Sequence, residues 1–405
     1  MILNQLRRGF VTTESPIQNE KFQTRRVAIL SGAHGVHDTY TSFLPVLLPH
    51  LIEKFALSNT SAGLLSVFLQ TPSLINPLIG HIADRRNLRF FIILTPAITG
   101  AGMSLLSIAP SYAFMIFLLL IAGVSNAAIH AVAIVLTGTL AGNQLGKGMS
   151  FWMVGGELGR TLGPLILVSA ITYLTYEGLP WLMLGGILVS IFLYFQLKIA
   201  TTIPHSNGIS VRWIEVLRKM GPVMVPIFIL LFSRAMMMAT LTTFLPTFLT
   251  SEGATLWVAG ASLSILEAAG VAGAFLAGTL SDRFGRRTIL TISFLASPIV
   301  MILFLQTKDF LQIPLLIILG FFAISATPVL LAIVQENFPE NRSFANGIFM
   351  AISFALMSLA ILLVGSISDF SSLRVTFYLS AAVVLIGVPF IHLLPKSKRV
   401  FTNNK

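Results

Sequence analysis

Residues 278–287 read GTLSDRFGRR and residues 80–89 read GHIADRRNLR, so one pattern of glycine, aspartate and arginine occurs twice at an offset of 198. A second repeated pattern precedes each copy. Residues 41–45 read TSFLP and residues 242–246 read TTFLP, at an offset of 201. Because the two offsets are nearly equal, they indicate an internal duplication in which each half of the chain contains one copy of both patterns.

The composition identifies the broad class of protein. Of the 405 residues, 55% are apolar and only 10% are charged, and the mean hydropathy is +0.87. A globular water-soluble protein carries roughly 25% charged residues. The composition therefore excludes a water-soluble enzyme, a disordered chain and a fibrous repeat. The sequence contains no cysteine, which also excludes disulfides, thiolate metal sites and cysteine catalysis.

Apolar windows separated by charged, proline or glycine residues predict twelve transmembrane helices. None shows the alternating pattern of a membrane β-strand, so the predicted fold class is all-α and integral to the membrane. The twelve predicted spans are 27–53, 60–83, 90–109, 112–140, 147–174, 178–198, 222–250, 256–280, 287–305, 311–335, 344–367 and 373–394.

The basic residues predict the orientation of these spans. With the N-terminus in the cytoplasm, 21 of the 26 Lys and Arg residues fall in the tails and the even-numbered loops, and three fall in the opposite loops. This asymmetry is typical of cytoplasmic loops in multi-pass proteins. It predicts a cell-membrane protein with both termini cytoplasmic. The net charge of +11 then needs no nucleic-acid partner.

The polar stretch between spans 6 and 7 divides the chain into two pseudo-symmetric six-helix bundles. Parallel repeats of this kind place a substrate site near the membrane midplane, between the halves. The predicted organisation is a cytoplasmic tail over 1–26, an N-terminal bundle over 27–199, a cytoplasmic linker over 200–221, a C-terminal bundle over 222–395 and a second tail over 396–405.

On these motifs the sequence resembles the major facilitator superfamily of secondary transporters. The family motif joins spans two and three and reads Gly-x-x-x-Asp-Arg-x-Gly-Arg-Arg. The second copy matches it fully, at Gly278, Asp282, Arg283, Gly285, Arg286 and Arg287. The first copy keeps Gly80, Asp84, Arg85 and Arg89 but has Asn87 and Leu88 where the family has glycine and a basic residue. The resemblance implies that both copies are gating elements at the cytoplasmic ends of the helices.

A narrower resemblance is to the fosmidomycin-resistance branch, a group of proton-driven drug exporters. It rests on HGVHD at 34–38 in span 1, on His130 in span 4 and on GGELGRTLGP at 155–164 in span 5. It implies proton-coupled export (antiport) of a small molecule. The sequence departs from the branch at Glu157 and Arg160, where uncharged polar residues are expected.

Ionisable residues inside apolar spans are the candidates for chemistry, because such groups are costly in lipid unless they face a partner or water. The candidate proton-coupling residues are Asp38, Glu157, His34, His37 and Glu267. His34 and Asp38 are four residues apart and lie on one helix face. Burial favours a neutral carboxyl group and a neighbouring cation favours a charged one, a combination suited to proton exchange. The alternative is a fixed ion pair that locks spans 1 and 5 together. His130 is expected to be a hydrogen-bonded structural residue.

Two arginines inside spans indicate an anionic or partly anionic substrate, because a guanidinium group suits carboxylate and phosphonate groups. The candidate substrate-binding residues are Arg160, Arg234, Gln70 and Asn126. Each arginine has an alternative to substrate binding. Arg160 could form an internal salt bridge with Glu157, three residues away, without a ligand. Arg234 could simply neutralise Glu267.

The sequence thus predicts a secondary transporter that moves a small organic, partly anionic molecule by alternating access. Proton-coupled export is the leading reading, and a proton symporter importing an organic anion is the alternative. The expected partners are the substrate, protons and the lipid bilayer, and the expected state is a monomer. Neither a nucleotide-binding Gly-x-x-x-x-Gly-Lys motif nor a third metal ligand near His34 and His37 is evident, so no enzyme activity, cofactor or metal is expected.

Overall fold

The structure is a computed structural model, and it describes residues 21–76, 79, 89–142, 144–197, 213–338 and 342–395. Within these ranges the protein is entirely helical, and a helical segment corresponds to each of the twelve predicted spans. The predicted tails at 1–26 and 396–405 and the predicted linker at 200–221 lie largely outside the described residues.

The first six spans alternate long helices with short turns. Span 1 is Thr24–Thr41 followed by Phe43–Phe55, and the described part of span 2 begins with Asn59–Gln70 and Thr71–Ile75. Spans 3 to 6 are Arg89–Ser104 with Leu105–Ile108, Tyr112–Ala141, Leu145–Gly178, and Leu179–Leu182 with Met183–Gln196. Span 5 is interrupted near its end at Thr175, where φ is 58° and the chain turns towards span 6.

The second six spans follow the same plan. Span 7 is Trp213–Ala239, Thr240–Phe244 and Leu245–Ser251, and span 8 is Leu256–Phe284. Spans 9 to 12 are Arg286–Gln306, Gln312–Asn337, Arg342–Phe370, and Leu373–Ile386 with Val388–Leu393. Span 7 begins nine residues before its predicted start at 222, so 213–221 is helical, and the division into linker and bundle stays a prediction.

The duplicated TSFLP and TTFLP patterns produce duplicated breaks in the helices. Span 1 is divided at Ser42, and span 7 contains a π-helical turn at Thr240–Phe244. Proline has no backbone N–H, so Pro45 and Pro246 cannot bond the carbonyl four residues earlier. The interruption in each half therefore follows from the position of its proline.

Among the residues that the structure describes, four spans begin with a hydroxyl residue that caps the helix. Ser58, Ser111, Thr255 and Ser372 each accept a hydrogen bond from the backbone N–H three residues later. Such caps satisfy a donor that the first helical turn leaves free. All four lie at the starts of even-numbered spans, at one end of the molecule.

Within the described residues, nine segments are long and apolar enough to cross a membrane. One of them, Lys147–Gln196, contains both span 5 and span 6. Spans 1 and 2 are not among the nine, because span 1 is divided and carries polar residues and span 2 is described only in part. The chain is a multi-pass membrane protein.

Close helix packing depends on glycine at a few positions. Span 5 lies against span 1, where a side chain on Gly155 would collide with the Ser31 carbonyl and one on Gly159 with the Gly35 carbonyl. Small residues of this kind let helix backbones approach closely in membranes. This contact holds the charged residues of spans 1 and 5 beside each other.

The two halves touch at the end of the molecule that carries the turns 56–58, 252–255 and 371–372. Span 2 packs on span 11 there, and span 5 packs on span 8. The Asp369 carboxylate accepts hydrogen bonds from the backbone N–H groups of Asn59 (2.7 Å) and Thr60 (3.0 Å) and from the Thr60 hydroxyl (2.6 Å). We call this contact the end latch.

Candidate functional site

A cavity of about 200 Å³ lies between the two halves. It is lined by residues of spans 1, 2 and 5 from one half and spans 7, 8 and 11 from the other. Its charged residues are Arg160 and Glu267, and Gln70 adds an amide. Hydroxyl groups come from Thr41, Ser42, Ser66, Thr242 and Thr243. The duplicated helix breaks thus form part of the cavity wall.

The Asp38 carboxylate lies beside this cavity and is almost completely buried, with 3% exposure. One of its oxygens, Oδ2, is 3.3 Å from His34 Nε2 and 3.9 Å from Arg160 Nη1, and the other, Oδ1, is 3.7 Å from His130 Nε2. Two imidazoles and one guanidinium group therefore surround a single carboxylate. We call Asp38, His34, His130 and Arg160 the acid cluster.

The orientation of His34 is fixed by span 5. Its Nδ1 lies 2.9 Å from the carbonyl oxygen of Trp152, and its ring stacks on the Trp152 indole. A carbonyl oxygen can only accept, so Nδ1 carries the proton and Nε2 points to Asp38. Gly156 makes room for this arrangement, because a Cβ there would collide with the His34 ring and the Asp38 carboxylate.

His37 belongs to a separate polar network. Its Nε2 lies 3.0 Å from Asn126 Oδ1 and its Nδ1 lies 3.1 Å from the Thr99 hydroxyl. The Asn126 amide in turn donates to Ser73. Both ring nitrogens of His37 therefore have uncharged partners. The structure places Asn126 behind His37 rather than on the cavity wall.

Arg160 links the acid cluster to the cavity. Its guanidinium group is paired with Glu157 on the same helix, and its side chain keeps 42% exposure. Glu267 approaches from the other half, and the charges that act on it are Arg160 and Glu157. Two carboxylates, Asp38 and Glu157, therefore lie within 4 Å of one guanidinium group, and Glu267 lies farther from it.

Arg234 lies elsewhere. It is buried in the second half, where it donates to the Thr327 hydroxyl (2.8 Å) and to the Ala323 carbonyl (2.6 Å) of span 10. Among the described residues no carboxylate lies within 4 Å of it, so it does not neutralise Glu267. It does not line the cavity either, so the structure does not place two arginines around one substrate.

The second copy of the gating motif forms a compact ion-pair network. Arg286 pairs with Asp282 four residues before it and with Glu336 of span 10, at 2.6 Å from Oε1. Gly285 ends span 8 with a φ of 94°, a conformation that favours glycine. Asp282 thus pairs within its own motif. Arg287 donates to the Leu394 carbonyl, and the Arg283 guanidinium lies over the Phe284 ring.

The first copy of the motif lies mostly outside the described residues. Gly80, Asp84 and Arg85 are not described, so their gating role stays a prediction. Arg89 is described at the start of span 3, where it donates to the Tyr194 carbonyl of span 6 at 3.1 Å.

The donor atoms of His34, Asp38 and His130 lie within 4.8 Å of one another, a spacing that a metal ion requires. His130 supplies the third group that the sequence did not place near His34. However, the Arg160 guanidinium is already within 3.9 Å of the same Asp38 oxygen, and its charge opposes a divalent cation there. A proton fits this site better than a metal ion.

The structure thus brings Asp38, His34, Glu157, Arg160 and Glu267 together and leaves Arg234 and Asn126 apart. Sequence reasoning did not place His130 beside Asp38 or Glu336 beside Arg286, and whether His130 is only structural stays a prediction. Both contacts join residues that are distant in the chain. The one sequence signal was that His130 is an ionisable residue within an apolar span.

A helical membrane protein built from two similar halves, with ionisable groups beside a cavity between them, has the features of a secondary transporter. The family model described as Major Facilitator Superfamily matches residues 30–281 and 258–405. The chain belongs to the major facilitator superfamily. It is therefore a secondary transporter of the membrane and not an enzyme.

Two relatives match nearly the whole chain. The fosmidomycin resistance protein of Escherichia coli (strain K12) is 23% identical over 372 residues, which cover 90% of this chain and 91% of that protein. The uncharacterized MFS-type transporter YfnC of Bacillus subtilis (strain 168) is 22% identical over 397 residues, which cover 96% and 97%.

Solved structures show the same fold at lower identity. A bacterial homolog of the human lysosomal transporter Spinster, in an inward-facing and unoccupied conformation, has a TM-score of 0.77 at 15% identity and covers 93% of this chain and 97% of its own. A D-xylose–proton symporter has a TM-score of 0.73 at 16% identity and covers 93% and 98%.

Proposed function

We propose that the protein exports a small organic molecule from the cell in exchange for protons, by alternating access of the cavity between its halves. The observation that carries this proposal is the acid cluster, in which a buried carboxylate faces two histidines and an arginine. Imidazole is the side chain best suited to proton exchange near neutral pH. The cluster lies next to the cavity and is joined to it by Arg160.

The contacts of Arg160 suggest how the proton and the substrate are coupled. Its guanidinium group lies near Asp38 and is paired with Glu157. A proton that arrives at Asp38 removes one of the negative charges that hold Arg160. Occupancy of the acid cluster therefore changes the charge that Arg160 and Glu157 present to the cavity. His37 and Asn126 support the cluster from behind, and Gln70 contributes to the cavity wall.

Export is favoured by the similarity to the fosmidomycin resistance protein. The distribution of basic residues supports a topology with both termini in the cytoplasm. The end latch then lies on the outer side, so the contact between the halves closes the cavity from outside. The networks around Arg286 and Arg89 lie at the cytoplasmic ends of their helices. We propose that the two motif copies act there as gating elements.

The proposal is tested in everted membrane vesicles that contain the protein, with fosmidomycin as the first probe. Addition of the probe is expected to release protons from vesicles preloaded with them. Asp38→Asn is expected to abolish this release. Glu53→Gln removes an exposed carboxylate from the same span and serves as the control, with release unchanged. Proton release that persists in Asp38→Asn would contradict the assignment of the proton site.

A second candidate function is import of an organic anion together with protons. It is favoured by the half-exposed guanidinium group of Arg160 in the cavity. Whole cells distinguish the two functions, because an exporter lowers the accumulation of its substrate and an importer raises it. Accumulation of a radiolabelled probe is measured in cells with and without the protein, and a decrease indicates export whereas an increase indicates import.

A further inference from the structure

The two halves of the protein supply opposite charges to the cavity. Arg160 enters it from span 5 of the first half and Glu267 from span 8 of the second half. These two helices pack against each other across the interface, where Gly260 lies on Val168. A ligand in the cavity therefore meets a cationic group on one side and a carboxylate on the other.

Glu267 is available to a ligand. Among the described residues it accepts no hydrogen bond and has no basic nitrogen within 4 Å, although Arg160 acts on it at longer range. Its side chain is half-buried and faces the cavity. A carboxylate in the middle of a membrane protein is costly unless a cation compensates it. Within the first half, Arg160 is already paired with Glu157. Glu267 is therefore the carboxylate at this site without a paired cation.

Arg160 also retains binding capacity. A guanidinium group has five N–H donors. The pair with Glu157 uses one terminal nitrogen, and the other lies 3.9 Å from Asp38 Oδ2, too far for a hydrogen bond. The remaining donors and the 42% exposure of the side chain leave a face that can receive an acidic group. Arg234 cannot assist, because Thr327 and Ala323 hold it outside the cavity.

We propose that the cargo is amphoteric: a small molecule whose acidic group binds Arg160 and whose protonated amine binds Glu267. This inference rests on the proposed function, because it assigns the substrate class of that same cavity. A purely anionic cargo, fosmidomycin included, satisfies Arg160 but brings a second negative charge to Glu267, so it should bind less tightly than an amphoteric one. A purely cationic cargo satisfies Glu267 but leaves the free face of Arg160 without a partner. An amphoteric cargo bridges the halves with one charged contact to each.

The test uses probes that differ only in their end groups: 4-aminobutyrate, butyrate and butylamine. Binding is measured by thermal stabilisation of the purified full-length protein in lipid nanodiscs at neutral pH. A charge-assisted contact is worth roughly tenfold or more in affinity. We therefore expect 4-aminobutyrate to bind about tenfold more tightly than either analogue. Glycine and 5-aminopentanoate extend the series and report the spacing of the two charged groups.

Two variants of Glu267 separate a role in binding from a role in folding. Glu267→Gln is expected to remove the advantage of 4-aminobutyrate over butyrate. Glu267→Asp keeps the charge but withdraws it by one methylene, so the preferred probe should become one carbon longer. Glu53→Gln is the control and should keep the wild-type order of affinities.

Equal binding of 4-aminobutyrate and butyrate, an unchanged preference in both Glu267 variants, or no binding by any probe would each overturn the proposal. Binding in nanodiscs needs no proton gradient. A failure here together with loss of proton release in Asp38→Asn vesicles would therefore reject the cargo class and leave the proposed function in place.

Discussion

Polar residues of spans 1 and 4 and of spans 7 and 10 occupy corresponding places in the two halves. Arg234 follows His34 by 200 residues and Thr327 follows His130 by 197, close to the offsets of the duplicated motifs. In the first half, Asp38 and His34 of span 1 meet His130 of span 4. In the second half, the hydrogen-bond partners of Arg234 in the described part of the chain are neutral oxygen atoms of span 10.

This difference shows how a duplicated scaffold becomes asymmetric. An imidazole–carboxylate group changes its charge near neutral pH, whereas a guanidinium group keeps its charge at any physiological pH. In the proposed function the first half would respond to protons, and the second half would be held by a permanent cation. Alternating access would then be controlled from one half only.

The largest expected effect tests this asymmetry directly. His34→Gln removes the imidazole whose Nε2 lies 3.3 Å from Asp38. It should lower proton-coupled transport about 10-fold to 100-fold, because only a protonated imidazole can donate from Nε2 to this carboxylate, and such a charge-assisted contact contributes roughly 1.5–3 kcal/mol. It should also flatten the dependence of transport on pH. Arg234→Gln should leave the shape of that dependence unchanged. The measurement is probe transport in vesicles between about pH 5 and pH 8. If the pH dependence of transport became equally flat in both variants, the proposed difference between the two halves would be wrong.

The next effect concerns the contact that positions the acid cluster. Gly159→Ala places a methyl group against the Gly35 backbone, which cannot move aside, and should destabilise the protein by about 1–3 kcal/mol. Gly32→Ala is the matched control on span 1, because no atom lies within 4 Å of the added Cβ. That change should be neutral or slightly stabilising. Thermal unfolding of the purified variants measures both. A control as unstable as Gly159→Ala would show that the close contact is unimportant.

A smaller effect is expected at the end latch. Asp369→Asn keeps the shape of the side chain but removes its charge and replaces one accepting oxygen by an NH2 group. At least one of the hydrogen bonds from Asn59 and Thr60 is then lost, at a cost of about 1 kcal/mol. The outer side should then open about fivefold more often. Since the natural chain has no cysteine, a single cysteine at Ser66 reports this opening through its labelling rate from outside. An unchanged rate would mean that the latch does not hold the halves together.

The smallest effect lies on the surface, at the ion pair of Glu252 and Arg374. The hydrogen bond from Arg374 holds the pKa of Glu252 below its usual range. A depressed pKa contributes stability above the unfolded value of about 4.3, and that contribution is lost as the pH falls through the folded value. Glu252→Gln should therefore lower stability by about 0.2–1 kcal/mol at pH 7, as for other exposed pairs.

The same substitution should have less effect at acidic pH, where Glu252 is protonated in both proteins. Thermal unfolding of wild type and variant along a pH series measures the difference, with Glu53→Gln as the control. A difference that grows as the pH falls would contradict the assigned pair.

The sequence predicted the twelve helices and the family because those signals are local. Apolar runs, charged turns and the repeated motifs are read along the chain without knowledge of packing. The helix breaks at Ser42 and at Thr240–Phe244 were not predicted, although Pro45 and Pro246 explain them. Prolines inside membrane helices are often tolerated, so their presence alone did not locate a break.

The site was predicted in part, and its errors have one cause. Most spans are apolar on all sides, so their sequences do not show which face of a helix points inward. His130 and Asp38 are 92 residues apart, and only the packing of span 4 on span 1 brings them together. The same uncertainty made Arg234 and Glu267 look like partners, although their side chains reach different neighbours.

The main-chain donors of the end latch determine which substitutions this contact tolerates. Two of the three hydrogen bonds to Asp369 come from backbone N–H groups at positions 59 and 60, and every residue except proline supplies that group. Replacement of Asn59 by almost any amino acid leaves its bond intact. A genetic screen for variants in which the two halves no longer close tightly at this end should therefore recover two kinds of change. Substitutions of Asp369, or proline at position 59 or 60, should appear far more often than other substitutions of Asn59.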